Sequence, residues 1–195
     1  SKVFPWEYSV IEHGLSPFTS EPITPCSSLR FGYLGSLIQQ KGWQTALEAF
    51  KKVHSKYPET ELHFFGGGED IPDSPPSGVY FHGRYSSEDL GKITSQFDIG
   101  IIPSTFKETY CYVLSEMQWA GKPVAASNLG ALADRVIEGK TGKKFRAGDT
   151  EDLSNALLWF LEHNEWREWQ IPRPRELGEM IAEYKQLYHE LLERQ

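Results

Sequence analysis

Residues 99–127 read IGIIPSTFKETYCYVLSEMQWAGKPVAAS. Ile99–Ile102 is a short, wholly apolar run that ends at Pro103, the pattern of a strand buried on both faces. Residues 112–120 have helical spacing and are stopped by Gly121 and Pro123. Residues 124–126 form the next strand. A strand, a loop, a helix and a strand in that order are the building unit of a parallel sheet covered by helices.

The same alternation extends to both sides. Residues 29–34 form a strand ending at Gly35. Trp43, Ala46, Leu47, Phe50, Val53 and Tyr57 then recur at helical spacing until Pro58. Residues 62–65 run as a strand into Gly66, Gly67 and Gly68, which lack the G-x-G-x-x-G order of a dinucleotide loop and read as a tight turn. Val79–Phe81 is a strand, and a helix is expected over 88–96. Beyond the central unit follow a helix over 132–138, a strand at Gly142–Phe145 and a helix over 151–163, with Asp149 or Thr150 as its cap. A last helix is expected over 176–192. The fold class is therefore α/β, a parallel sheet with helices on both faces.

The 195 residues, 39% of them hydrophobic and 13% aromatic, suffice for one good-sized domain with extensions. A net charge of −7 and a pI near 5.4 speak against a sequence-independent grip on nucleic acid, which needs a positive surface. Cys26 and Cys111 lie far apart with no CxxC or metal-ligand spacing, so no disulfide framework is expected and a reducing cytoplasm is the simpler location. The six histidines show no paired metal spacing either. No apolar run approaches the roughly 20 residues of a membrane helix. Pro5, Glu7 and Glu12 interrupt any stretch resembling a signal peptide. Residues 1–28 hold Pro5, Pro17, Pro22 and Pro25 and read as an extended linker. Residues 29–170 form the sheet domain, and residues 171–195 a terminal helix. Trp159, Trp166 and Trp169 are expected to pack that helix instead of stacking on sugars.

In such sheets ligands bind at the carboxyl ends of the strands, which confines candidate chemistry to the loops at 35–42, 66–70, 82–85 and 104–116. The last is the most informative. Lys107 to Cys111 lead into a helix, so amides near Thr109 to Tyr112 lack intrahelical partners and suit a phosphate or diphosphate. Glu108 and Glu116, with seven residues between them, would be repelled by that anion and should lie on either side of it. Each can accept two hydrogen bonds from a vicinal diol. Five helical residues span about 7 Å and the preceding loop adds up to about 10 Å, a reach comparable to that from ribose to hexose in a nucleotide-diphosphate sugar.

The spacing of Glu108 and Glu116 resembles the E-x7-E signature of retaining GT-B glycosyltransferases, family 4 in particular. VIEHG at 10–14, YLGSLIQQKGWQTALEAF at 33–50, LHFFGGGED at 62–70, FHGRYSSEDLGKITSQFDIGIIPS at 81–104 and GKPVAASNLGALADRVIEGKTG at 121–142 resemble further family segments in the same order. The resemblance implies the Rossmann-like C-terminal half of a GT-B fold, which binds the donor while an N-terminal domain binds the acceptor. It implies that Glu108 is the catalytic-site residue on the hydroxyls of the transferred sugar and that Glu116 holds the ribose. Amides of Thr109, Tyr110 and Cys111, with the loop at Gly35 and Ser36, would meet the diphosphate, and Lys41 would neutralise it. The backbone around Arg84 would border the base. No metal or other cofactor is implied, because helix amides and cations stabilise the leaving diphosphate. A peripheral place at the inner membrane face and a role in polysaccharide assembly would suit the full-length protein.

Three positions depart from the family pattern. Ser36 stands where an Arg is usual, so one cation is absent unless Arg84 turns inward to replace it. Thr109-Tyr110-Cys111 replaces Gly-Phe-Gly, placing side chains where backbone approaches phosphate. Gly130-Ala131 replaces a Gly-Gly pair. Two rival readings remain: a nucleotide-sugar epimerase of the same architecture, and a non-catalytic sugar-nucleotide-binding module. Without an acceptor domain, the chain alone is expected to transfer sugar negligibly.

Overall fold

A computed structural model describes residues 9–22, 28–68 and 71–193. Pro5, Glu7, Pro25 and Cys26 of the expected linker, and Glu69 and Asp70 of the glycine turn, lie outside the described residues. Among the described residues, those from Phe18 to Arg173 make one compact unit, and 9–17 with 174–193 make a second.

The larger unit is built on a six-stranded parallel sheet. Its strands are β1 Arg30–Leu34, β2 Glu61–Phe65, β3 Val79–Phe81, β4 Ile99–Ile102, β5 Val124–Ser127 and β6 Gly142–Phe145. They lie in the order β3-β2-β1-β4-β5-β6. The chain adds strands outward on one side of β1, then returns to add β4 on the other, with Phe31 opposite Ile99 and Gly32 opposite Gly100. Every residue of β1 and β4 is buried; β4 is apolar throughout, and Arg30, the one charged residue of β1, pairs with Asp98 at 3.4 Å.

Alternation along the strands divides the core between the two faces of the sheet. Phe31, Tyr33, Phe64, Ile99 and Ile101 pack one way, against α1 (Trp43–Lys56) and α5 (Thr150–Glu162). Leu34, Phe65 and Ile102 pack the other way with Ile93 of α2 (Leu90–Thr94) and with Leu114 and Met117 of α3 (Tyr112–Trp119). Asp149 caps α5, accepting from the amides of Glu151 and Asp152 at 3.0 Å.

Two helices are shorter than their apolar spacing suggests. Asp89 Oδ2 accepts from Ser86 N and Oγ at 2.8 and 2.9 Å, which winds Ser87–Asp89 into a 3-10 turn before α2 begins. Thr94 and Ser95 then bond back to the carbonyls of Leu90 and Lys92 at 2.7 Å as α2 ends. The helix expected over 132–138 is α4, Ala131–Arg135. Thr141 takes the amide of Ile137 with its Oγ1 at 2.9 Å and turns the chain into β6. Trp166 and Trp169 pack with Phe160 of α5, because a 3-10 turn at Glu165–Glu168 folds the chain back on that helix.

In the smaller unit Leu15 pairs with the strand-like residue Glu176, just before α6 (Leu177–Glu193). Ile181, Tyr184, Tyr188 and Leu191 of α6 are exposed. No helix among the described residues is long and apolar enough to cross a membrane.

Candidate functional site

Because the strand order reverses between β1 and β4, the helices that follow them, α1 and α3, pack on opposite faces, and the loops leading to them meet at the carboxyl edge of the sheet, where ligands bind in such folds. The loop after β1 closes in a 3-10 turn, Gln39–Lys41. It is tied to the loop after β4 by Thr105, whose N and Oγ1 donate to Gln40 O at 2.9 and 3.2 Å. Gly42 ends the turn in the left-handed region at φ 70°. Lys41 is thereby set on the end of β4, with Nζ 2.7 Å from Glu108 Oε1. Ser104 Oγ donates to the same carboxylate oxygen at 2.9 Å. The Glu108 side chain is 10% exposed and that of Lys41 30%, so the pair is largely shielded, Glu108 more than Lys41. Lys41 Nζ also stands 5.0 Å from the centre of the Phe106 ring.

The turn between Glu108 and α3 is held from the far side. Glu108 O accepts from Ala131 N at 2.9 Å. A Cβ on Gly130 would come within 2.7 Å of that carbonyl oxygen, so a glycine is needed for this approach. Arg135 donates to Tyr110 O at 2.5 Å, Cys111 O at 3.3 Å, Ser115 Oγ at 2.8 Å and Gln118 Oε1 at 3.2 Å. Its guanidinium also lies 4.1 Å from the centre of the Tyr110 ring. Cys111 caps α3 with φ 66° and ψ 83°, the one described non-glycine residue with a positive φ. That conformation suits the glycine of the family pattern and is strained for cysteine. Burial pushes its thiol up to about 11, which fits a packing residue and not a nucleophile.

One turn into α3, Glu116 is partly buried, and its buried Oε2 has no hydrogen-bond partner among the described residues. Burial raises its pKa above the ordinary carboxylate range. Tyr85, after β3, feels it: burial raises the phenol pKa, and the Glu116 carboxylate raises it further. An open cleft of about 450 Å³ lies alongside, lined by Gly35, Ser36, Gly66, Gly67, Arg84 and Tyr85. The Arg84 side chain lies across Gly67, where an added Cβ would meet its Cγ at 2.8 Å and its Nε at 2.9 Å. Arg84 itself remains exposed and shares the lining of this cleft with Ser36.

Gly35, Ser36 and Arg84 therefore share one cleft, while Lys41, Glu108 and Cys111 line a smaller adjoining one with Ser104. Thr109 is exposed. Tyr110 joins through its backbone only, since its ring and hydroxyl are engaged by Arg135 and Ser115. Ser104, Tyr85, Phe106 and Arg135 were not among the residues singled out by sequence. Ser104 had a signal, being one helical turn before Glu108 at a strand end. Arg135 had none, because its partners lie 17 to 25 residues away. His82 points away from any ligand role here: its Nε2 is 2.9 Å from His63 Nδ1, and its ring stacks 4.4 Å from Phe65. Among the described residues no group of three or more His, Cys, Asp or Glu is placed to hold a metal.

The family model described as "Glycosyl transferases group 1" matches residues 28–163. A phosphatidyl-myo-inositol mannosyltransferase of Propionibacterium freudenreichii is 33% identical over 141 residues, 71% of this chain and 36% of that protein. A sulfoquinovosyl transferase of Arabidopsis thaliana is 32% identical over 136 residues, 65% of this chain and 26% of that protein. This chain thus spans about a third of the length of these relatives. Among solved structures, sucrose-phosphate synthase from Thermosynechococcus elongatus superposes with a TM-score of 0.79 at 23% identity, over 95% of this chain and 53% of that one. Anabaena HepE in complex with UDP-glucose superposes with a TM-score of 0.61 at 20% identity, over 70% of this chain and 40% of that one. At such identities the two structures speak to the fold, that of GT-B glycosyltransferases.

Proposed function

This chain belongs to the group 1 glycosyl transferases, and from that membership we propose that it is the donor-holding part of an enzyme that transfers a sugar from a nucleotide diphosphate with retention of anomeric configuration. The observation that carries the reading is Lys41 beside Glu108 just before α3, with Glu116 one turn into that helix and its buried Oε2 left unpartnered among the described residues. The diphosphate lies at the start of α3, against the amides that follow Cys111 and against Lys41. Glu108 takes hydroxyls of the sugar. Glu116 takes the ribose, whose diol supplies the donors that its buried oxygen lacks. The base lies along Gly83 to Tyr85.

Stabilisation of the departing diphosphate falls to helix amides and lysine, placed before the charge develops. The acceptor is held by a further domain, and this chain alone transfers negligible sugar. Two unpaired-pattern cysteines and the solved neighbour with UDP-glucose bound support a donor site in a reducing compartment.

Amide resonances followed during titration with UDP-glucose, GDP-glucose and ADP-glucose test the reading. One of the three is expected to shift Lys41, Tyr112 and Glu116 together. Shifts confined to other faces of the sheet, or none with any donor, would overturn it.

A further inference from the structure

We infer that the Lys41–Glu108 ion pair is a latch worked by the donor's sugar, so that the site favours a nucleoside diphosphate bearing a sugar over the bare diphosphate left after transfer. This rests on the donor-site reading above. The pair is not a loose surface contact. It is 2.7 Å long and largely shielded. Each partner is fixed from behind: Lys41 by the tie of Thr105 to Gln40, Glu108 by the bond from Ala131. Lys41 and Ser104 both donate to Oε1, and Oε2 has no partner among the described residues.

An anion drawn to Lys41 therefore also approaches Glu108, and its attraction to the lysine is largely cancelled. A sugar removes this penalty. Its hydroxyls donate to the carboxylate and replace the lysine as partner, freeing Nζ for the phosphate. A bare diphosphate has no donor to offer Glu108 and leaves the latch shut. Arg84, across the cleft, has no ion pair among the described residues, so it meets either ligand alike. The same contact would weaken product hold after transfer.

The test measures binding of UDP, GDP and ADP and of their glucose conjugates to the parent chain, to Glu108→Gln, to Lys41→Gln and to the double variant. Glutamine keeps the volume of Glu108 and removes its charge. Glu108→Gln should bind its bare diphosphate about tenfold tighter and the glucose conjugate no tighter, so the preference for the sugar-bearing ligand falls. In the Lys41→Gln background the gain should shrink. No gain for the bare diphosphate would overturn the latch and leave the donor site standing. An equal gain in both backgrounds would reduce it to simple repulsion and also overturn it. A parent chain that binds none of the six ligands would sink the donor reading itself.

Discussion

A methyl group on Gly42 would stand 1.9 Å from the carbonyl oxygen of Pro103. That clearance joins the turn after β1 to the end of β4, and the placement of Lys41 next to Glu108 depends on it. Gly42→Ala combines a left-handed backbone with a steric clash against main chain that cannot rotate away. It is expected to cost about 3 kcal/mol of stability and to weaken diphosphate binding in whatever folded fraction remains. Urea unfolding measures the first effect. A loss within experimental error would mean that the two loops are not bolted together here.

On the donor-site reading, Glu116 is kept at the expense of stability. Its Oε2 is buried without a partner, and a neutral glutamine in its place should stabilise the free chain by about 1 kcal/mol at neutral pH. Because burial raises the folded-state pKa above the unfolded one, the destabilisation is absent in acid, where the carboxyl is protonated in both states. It appears as pH rises past the ordinary value of 4.5 and is complete above the raised folded value. The gain of Glu116→Gln should therefore grow with pH across that interval, while affinity for nucleosides falls. A gain that is the same in mild acid and at neutrality would contradict this origin.

Cys111 occupies a backbone conformation that a β-branched residue tolerates least. Cys111→Val is expected to destabilise by about 2–3 kcal/mol. Cys111→Gly should stay within about 1 kcal/mol of the parent, because relief of strain offsets the lost burial of a small side chain. The glycine variant should also bind diphosphate more tightly, since its backbone is bare at the helix start. Equal stabilities for valine and cysteine would show that the turn before α3 relaxes freely.

Much of this was legible in the letters, for identifiable reasons. Ile99–Ile102 is apolar throughout because both faces of its strand are covered, and helices such as α1 show a clean apolar stripe. Glu108 and Glu116 stood out because a fixed spacing on one loop and helix is local information. What the letters hid is non-local. The turn carrying Lys41 is a 3-10 turn whose end, Gly42, fits on Pro103, which is 61 positions further along the chain. The pairing of Lys41 with Glu108 follows from β1 and β4 being neighbours, which no local pattern reports. The approach of the Arg84 side chain to Gly67 likewise exists only once β2 and β3 lie side by side.

The most direct measurement is calorimetric titration of the chain and of Lys41→Ala with UDP, GDP and ADP. One of the three should bind the parent, and Lys41→Ala should weaken it about tenfold to a hundredfold through loss of a charge-assisted contact. Absence of binding by the parent, or an unchanged affinity in the variant, would contradict a diphosphate seated between Lys41 and the start of α3.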